Sequence, residues 1–361
     1  PGSRPRASLT PGTSRRAAVP SWAMRNVIGK GRALLAAAIV ATGLVGCDPP
    51  PPRVVFQVDS TAAGADAAPG DGVCATSGGQ CTLLAAIDEA NATDGGVDVV
   101  MPSGRYASVN TTVTGDVRLN PGNVSSVVPT SARLTVAAGG RLAVSGFDRS
   151  TAQGDAGSLA LTVLGGASVV VGHSILMGLD VEAGASVVLN AVVAQDVVNA
   201  GTLMAVGSSF FGGDPLDTSI PVLTTSDGGT TTLRGSVVAR PQLYYNEGTP
   251  IGIGGSGTCS GVPPTSVGFL FVEVGCGSVA QPGDGTGPAR TRVDFTIDPF
   301  TFQITSQVVS MSPTSPLVDA IPLGDTGCDG SQVDLYGTPR GNDGDGDGVP
   351  GCDIGALELV P

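Results

Sequence analysis

Gly166-Ala167-Ser168-Val169-Val170-Val171-Gly172 and Gly184-Ala185-Ser186-Val187-Val188-Leu189-Asn190 are nearly the same seven residues written twice. Three further segments share the pattern: Gly140 to Gly146 (GRLAVSG), Gly201 to Gly207 (GTLMAVG) and Gly229 to Gly235 (GTTTLRG). Each is a short run rich in Val, Leu, Thr and Ala between residues that tolerate a positive φ. That describes a strand between turns and is too short for an amphipathic helix. Successive first glycines stand 26, 18, 17 and 28 residues apart. Such spacing, with loops inserted at two places, marks a solenoid whose coils share one core. A coil of about eighteen residues holds three short strands and three turns, each strand parallel to its equivalent one coil on. The expected fold is all-β, a single-stranded parallel β-helix in which Ala167-Ser168-Val169-Val170 lies over Ala185-Ser186-Val187-Val188 at about 4.8 Å. The competing arrangement is a Gly-rich β-sandwich with accidental spacing.

Composition agrees. The 361 residues include 55 Gly and 27 Pro, which penalise helix interiors, and only 4% are aromatic, as a narrow core stacked from Val, Ala, Leu and Ser requires. The net charge is −13. Seven of the 18 basic residues fall in residues 1–46, so from Cys47 onward 11 Arg and no Lys face 31 acids. No basic surface for nucleic acid remains.

The N-terminal segment reads as an export signal. Met24 opens a basic stretch with Arg25, Lys30 and Arg32, and Ala33 to Gly46 then runs without a charge to Cys47. Fourteen apolar residues make a helix of roughly 21 Å, too short for a ~30 Å hydrocarbon core. Leu44-Val45-Gly46-Cys47 resembles a bacterial lipobox, which implies lipidation of Cys47 and a membrane anchor. Residues 1–46 are then an upstream segment and signal with its start at Met24, and 47–53 a lipidated Cys and Pro-rich tether. The six remaining cysteines suit an oxidising compartment, and proximity in sequence favours Cys74–Cys81, Cys259–Cys276 and Cys328–Cys352.

Cys81-Thr82-Leu83-Leu84-Ala85-Ala86-Ile87-Asp88-Glu89-Ala90-Asn91 is the one amphipathic helical pattern of the exported part, with Leu83, Leu84, Ile87 and Ala90 on one face, and suits an N-terminal cap. Together with Phe56-Gln57-Val58-Asp59-Ser60-Thr61-Ala62 and Val97-Asp98-Val99-Val100-Met101-Pro102-Ser103-Gly104-Arg105-Tyr106, this stretch resembles the module named for a C-S-L-R-E-A motif. That module precedes right-handed, pectin-lyase-like parallel β-helices of bacterial surface proteins. Ser315-Pro316-Leu317-Val318-Asp319-Ala320, Val333-Asp334-Leu335-Tyr336-Gly337-Thr338-Pro339-Arg340 and Cys352-Asp353-Ile354-Gly355-Ala356-Leu357-Glu358 resemble the companion region called choice-of-anchor Q. The resemblance implies a cap over 54–108, a β-helix over 109–300 and the anchor-Q-like region over 301–361, and carries no enzymatic role.

Candidate chemistry is sparse. Asp343, Asp345 and Asp347 with Gly348 reproduce the first half of a calcium loop; Ile354 stands where the bidentate Glu belongs, and Asp353 is one place earlier. Calcium is the expected metal and no other cofactor is implied. Asp180, Asp196 and Asp214 fall 14, 12 and 13 residues after their glycines, and Arg240 falls 11 after its own. On neighbouring coils these would compose a calcium-dependent lyase or glycoside hydrolase site for acidic polysaccharide. The lone His173 beside Ser174 makes no triad by adjacency. Phe210-Phe211 and Tyr244-Tyr245 are the best contact surface, each pair with one ring inward and one outward. The primary expectation is a monomeric, non-catalytic, lipid-anchored protein of the bacterial cell envelope, exposed outside the cytoplasm, whose β-helix is a spacer or an adhesion surface for a glycan or protein. The enzyme is the alternative.

Overall fold

A computed structural model describes residues 52–120, 127–129, 131–147, 159–212, 221–239, 242–245, 249–251, 259–272, 276, 281–287, 289, 291–297, 304–325 and 327–361. The signal-like segment, Cys47, Asp214 and Arg240 lie outside them.

The repeats fold as a parallel β-helix. A nine-stranded sheet stacks Val54–Gln57, Gly96–Val100, Asp116–Asn120, Arg141–Ser145, Ser168–Gly172, Ser186–Asn190, Thr202–Val206, Thr230–Arg234 and Thr265–Ser266, all in parallel. A second sheet of six strands begins at Ile175–Leu176, and a third of seven begins at Val109–Val113. One coil is therefore Ser168–Gly172, Ile175–Leu176 and Gly178–Val181, and the next is Ser186–Asn190, Val193–Gln195 and Val197–Asn199. Val169 pairs with Val187, and Val187 with Leu203. Uninterrupted parallel pairing excludes the sandwich, whose sheets are antiparallel.

Alternation fills the interior. Val97, Val117, Leu142, Val169, Val187 and Leu203 form one inward row, and Val99, Leu119, Val144, Val171, Leu189 and Ala205 the next; all are buried in one cluster. Each buried Val or Leu of these rows contributes about 1.5–3 kcal/mol by leaving water. The second sheet adds the inward row Leu176, Ala194, Phe210 and Val238.

The register corrects the glycine alignment by one residue. Gly140, Gly201 and Gly229 sit immediately before their strands, whereas Gly166 and Gly184 sit two residues before theirs. The residues with positive φ at this corner are Gly139, Gly166, Gly184 and Gly228. At the strands' other end the left-handed column is Gly146, His173, Ala191, Gly207 and Gly235, with φ of 74°, 47°, 51°, 53° and 52°. Buried serines follow three of these positions. Ser174 accepts from Phe147 N and donates to Gly172 O, Ser208 donates to Val206 O, and Ser236 donates to Arg234 O. The corner's backbone groups are thus satisfied without water.

At the start of the ladder helix α1, Leu83–Ala92, packs on Gly96–Val100, Val109–Val113 and Asp116–Asn120. Thr82 caps it, its Oγ1 accepting from Ala85 N at 3.1 Å. Leu83, Ile87 and Ala90 are buried and Leu84 is half-buried. The capping segment also supplies two strands, Val54–Gln57 and Gly96–Val100, so the ladder begins before the boundary expected at residue 109. Three strands expected to continue the coils, Thr249–Ile251, Gln242–Tyr245 and Thr291–Ile297, instead make a four-stranded mixed sheet with Ile304–Met311 from beyond the expected end of the β-helix. All three expected cysteine pairs form disulfides.

Candidate functional site

The outward side of the second sheet is covered. Ile175, Val193, Phe211, Val237 and Phe271 are buried in a second cluster with Leu317, Ile321, Leu335, Ile354, Ala356 and Leu357 of the C-terminal segment. Ser209 Oγ accepts from Ala356 N at 2.9 Å, joining segment to strand. Phe210 and Phe211 do point to opposite sides, yet both rings are buried, so this pair offers no free contact surface. Tyr244 and Tyr245 lie in the mixed sheet, and their side chains are outside the described ones.

The covering segment has little regular structure and is held by buried charge. Asp334 accepts from Tyr336 N and Thr338 N through one oxygen and from Glu358 N through the other. Glu358 accepts from Gly341 N, Asn342 N and Asp353 N. Asp353 accepts from Asp319 N at 2.8 Å and Leu359 N at 2.6 Å, and burial pushes its pKa up to about 7. Burial also raises that of Glu358 and lowers that of Arg340, which donates to Asp353 O and Gly355 O. Backbone N–H groups here do what a ladder does elsewhere.

On this framework one oxygen each of Asp319, Asp343 and Asp345 converges within 4.8 Å. Two of the four carboxylates expected to hold calcium are thus present, and a third comes from elsewhere. Asp347 is not one of the three and accepts from Val349 N, and Asp353 is committed to Asp319 N and Leu359 N. Asp319 enters because Ile321 pairs antiparallel with Cys352, which folds Ser315–Ala320 back against the acidic loop. Nothing local in the sequence marks it. Its backbone has φ 52°, and its carboxylate accepts from Gly344 N, Asp345 N and Gly351 N. Burial raises its pKa against those hydrogen bonds. Asp343 accepts from Gly348 N through Oδ2, while its Oδ1 is buried without a partner among the described residues. Hard, partly desolvated oxygens with one lone-pair set unspent suit a divalent cation such as calcium.

The side of the solenoid expected to carry a second acidic group is differently arranged. Asp180 pairs with Thr162 on one coil and Val198 on the other, so the position over Asp196 is Gly178. The two carboxylates belong to rows two residues apart, about 7 Å along the strand. His173 Nδ1 lies 3.0 Å from Asp334 O; a carbonyl only accepts, so Nδ1 carries the proton. Ser174 is buried and spends its hydroxyl on the corner. Neither is placed as a nucleophile and base.

No helix among the described residues is long and apolar enough to cross a membrane. Comparison with protein-family models, with curated proteins and with solved structures finds no match.

Proposed function

We propose that this chain is a lipid-anchored protein of the bacterial cell envelope, tethered through Cys47 and exposed outside the cytoplasm, whose β-helix is a non-catalytic rigid spacer or adhesion surface. The observation that carries the reading is the pairing of all six cysteines that follow Cys47 into disulfides on a rigid parallel ladder. Disulfides persist outside the cytoplasm, and coils that each contact only their neighbours build length repeat by repeat. The lipobox-like run before Cys47 and the resemblance to C-S-L-R-E-A and choice-of-anchor Q regions of surface lipoproteins point the same way. With Val198 rather than Asp196 beside Asp180, that side is given no catalysis. Within this reading Asp319, Asp343 and Asp345 hold a calcium ion that stiffens the C-terminal segment.

Metabolic labelling with a clickable fatty acid in a bacterial host tests the anchor. The full chain takes up label and fractionates with membranes, and Cys47→Ser loses both. Label retained by Cys47→Ser, or a soluble cytoplasmic wild type, contradicts the proposal. Calorimetric titration with calcium tests the ion: Asp319→Asn and Asp343→Asn each weaken binding about ten-fold or more, while Asp347→Asn stays within about three-fold.

A further inference from the structure

A cleft of about 360 Å³ lies where the C-terminal segment meets the corner column of the coils. Its walls include Val206, Phe269 and Ile321, and its polar groups include His173, Arg234 and Arg340. The volume is at the lower end of the roughly 300–1,000 Å³ found for small-molecule sites, and the make-up of apolar walls with few converging polar groups is theirs too.

The corner column explains why space exists there. His173, Ala191, Gly207 and Gly235 are equivalent positions on successive coils with nearly the same positive φ. His173 and Ala191 show that this backbone accepts a side chain, so glycine at 207 and 235 answers to room rather than to conformation. A Cβ on Gly207 would stand 3.3 Å from Arg340 Nη2, and one on Gly235 would stand 3.2 Å from Ile321 Cδ1. Glycine leaves the floor bare and lets the wall close over it.

The charge has a sign. Arg340 is buried, its Nη atoms donate to the carbonyls of residues 353 and 355, and the nearby carboxylates of Glu358, Asp334 and Asp353 balance its charge, so the sign of the cleft is set by Arg234. Asp334 and Glu358 spend their oxygens on backbone N–H groups. Arg234 donates one bond, Nη2 to Asp325 Oδ1 at 3.1 Å, and its Nε is buried with no acceptor among the described residues. The Arg234 side chain lines the cleft, is 26% exposed and spends one guanidinium N–H on Asp325, so an acceptor supplied from outside to its remaining N–H groups is favourable. Because Asp325 already engages Arg234, a monoanion matches the site better than a phosphate dianion, and the apolar walls require an apolar body.

We infer that this cleft binds a small organic carboxylate, its charged end on Arg234 and its apolar body against Val206, Phe269 and Ile321. The inference goes beyond the anchored-spacer reading and does not depend on it.

Titration calorimetry of the exported chain with benzoate and with its neutral isostere benzamide tests it. Benzoate binds at least about ten-fold more tightly than benzamide, Arg234→Gln removes that difference, and Val206→Phe, which fills the cleft from a strand position, abolishes binding of both. Circular dichroism verifies that each variant is folded. The inference is overturned if benzoate does not bind, if it binds no better than benzamide, or if folded Arg234→Gln keeps its affinity within about two-fold. Should Arg234→Gln fail to fold, unchanged benzoate affinity in Val206→Phe overturns it equally.

Discussion

The segment at the start of the ladder and the segment that ends the chain both cover apolar surface of the same coils, by opposite means. Residues 52–120 do it with regular elements. A capped helix buries Leu83, Ile87 and Ala90, and two strands extend the first sheet. Arg53 bridges Asp98 and Asp116; burial alone would lower its pKa, and those hydrogen bonds outweigh it and raise it. Residues 315–361 have two short strands, Ile321–Pro322 and Gly351–Cys352, and bury Asp334, Arg340, Asp353 and Glu358 to hold the backbone between them. Where a repeating hydrogen-bond ladder is absent, side-chain carboxylates must satisfy the backbone: the first segment does this in the loop before its helix, where buried Glu89 accepts from Gly70 N and Gly72 N, whereas residues 315–361 rest on it between both of their short strands and are the more sensitive to charge.

The largest effect is expected at Arg340. Arg340→Met strands two buried carbonyls and leaves the surrounding carboxylates without their cation, costing the C-terminal segment about 4 kcal/mol. Hydrogen exchange then shows faster opening of residues 315–361 with residues 83–120 unchanged; equal loosening of both would erase the contrast.

A comparable effect comes from pH. Asp353 titrates near 7 in the folded chain and near 3.9 when unfolded, so the folded state keeps a proton that the unfolded state releases. Stability of the C-terminal segment is therefore highest below about pH 4, falls as pH rises from there to about 7, by up to roughly 4 kcal/mol, and levels off above. Denaturant unfolding in the presence of chelator should show this slope, and Asp353→Asn should remove most of it at the cost of a lower value in acid. A segment whose stability rises over that interval would reverse the sign argued for this burial.

The smallest effect is at the helix. Thr82→Ala removes the acceptor for Ala85 N and costs about 1 kcal/mol, independent of pH between about 4 and 8, measured by the same unfolding. A pH-dependent loss would mean that the two coverings are not separate.

What was legible in the sequence follows the same division. The five glycine-bounded runs, the helix and the cysteine pairs could be read because each is encoded locally, by period, by capping or by proximity. The one-residue offset of Gly166 and Gly184 from the other glycines arose because the Gly-Gly pairs at 139–140 and 228–229 each give two candidates for one corner, and only φ, positive at Gly139 and Gly228, separates them. Asp319 joins Asp343 through a pairing between residues thirty-one apart, Ile321 and Cys352, which no local pattern carries. The cleft was invisible for the same reason, since Arg234 and Ile321 meet only after the chain turns back on its coils.

The stacking of equivalent coils is what every placement above depends on, and methyl–methyl NOE spectroscopy on a deuterated, Val/Leu methyl-labelled sample measures it most directly. The register predicts cross-peaks from Val169 to both Leu142 and Val187, and from Val187 to Leu203. Cross-peaks that instead join Val169 to a partner running antiparallel, with none to Val187, would contradict the β-helix and every site built on it.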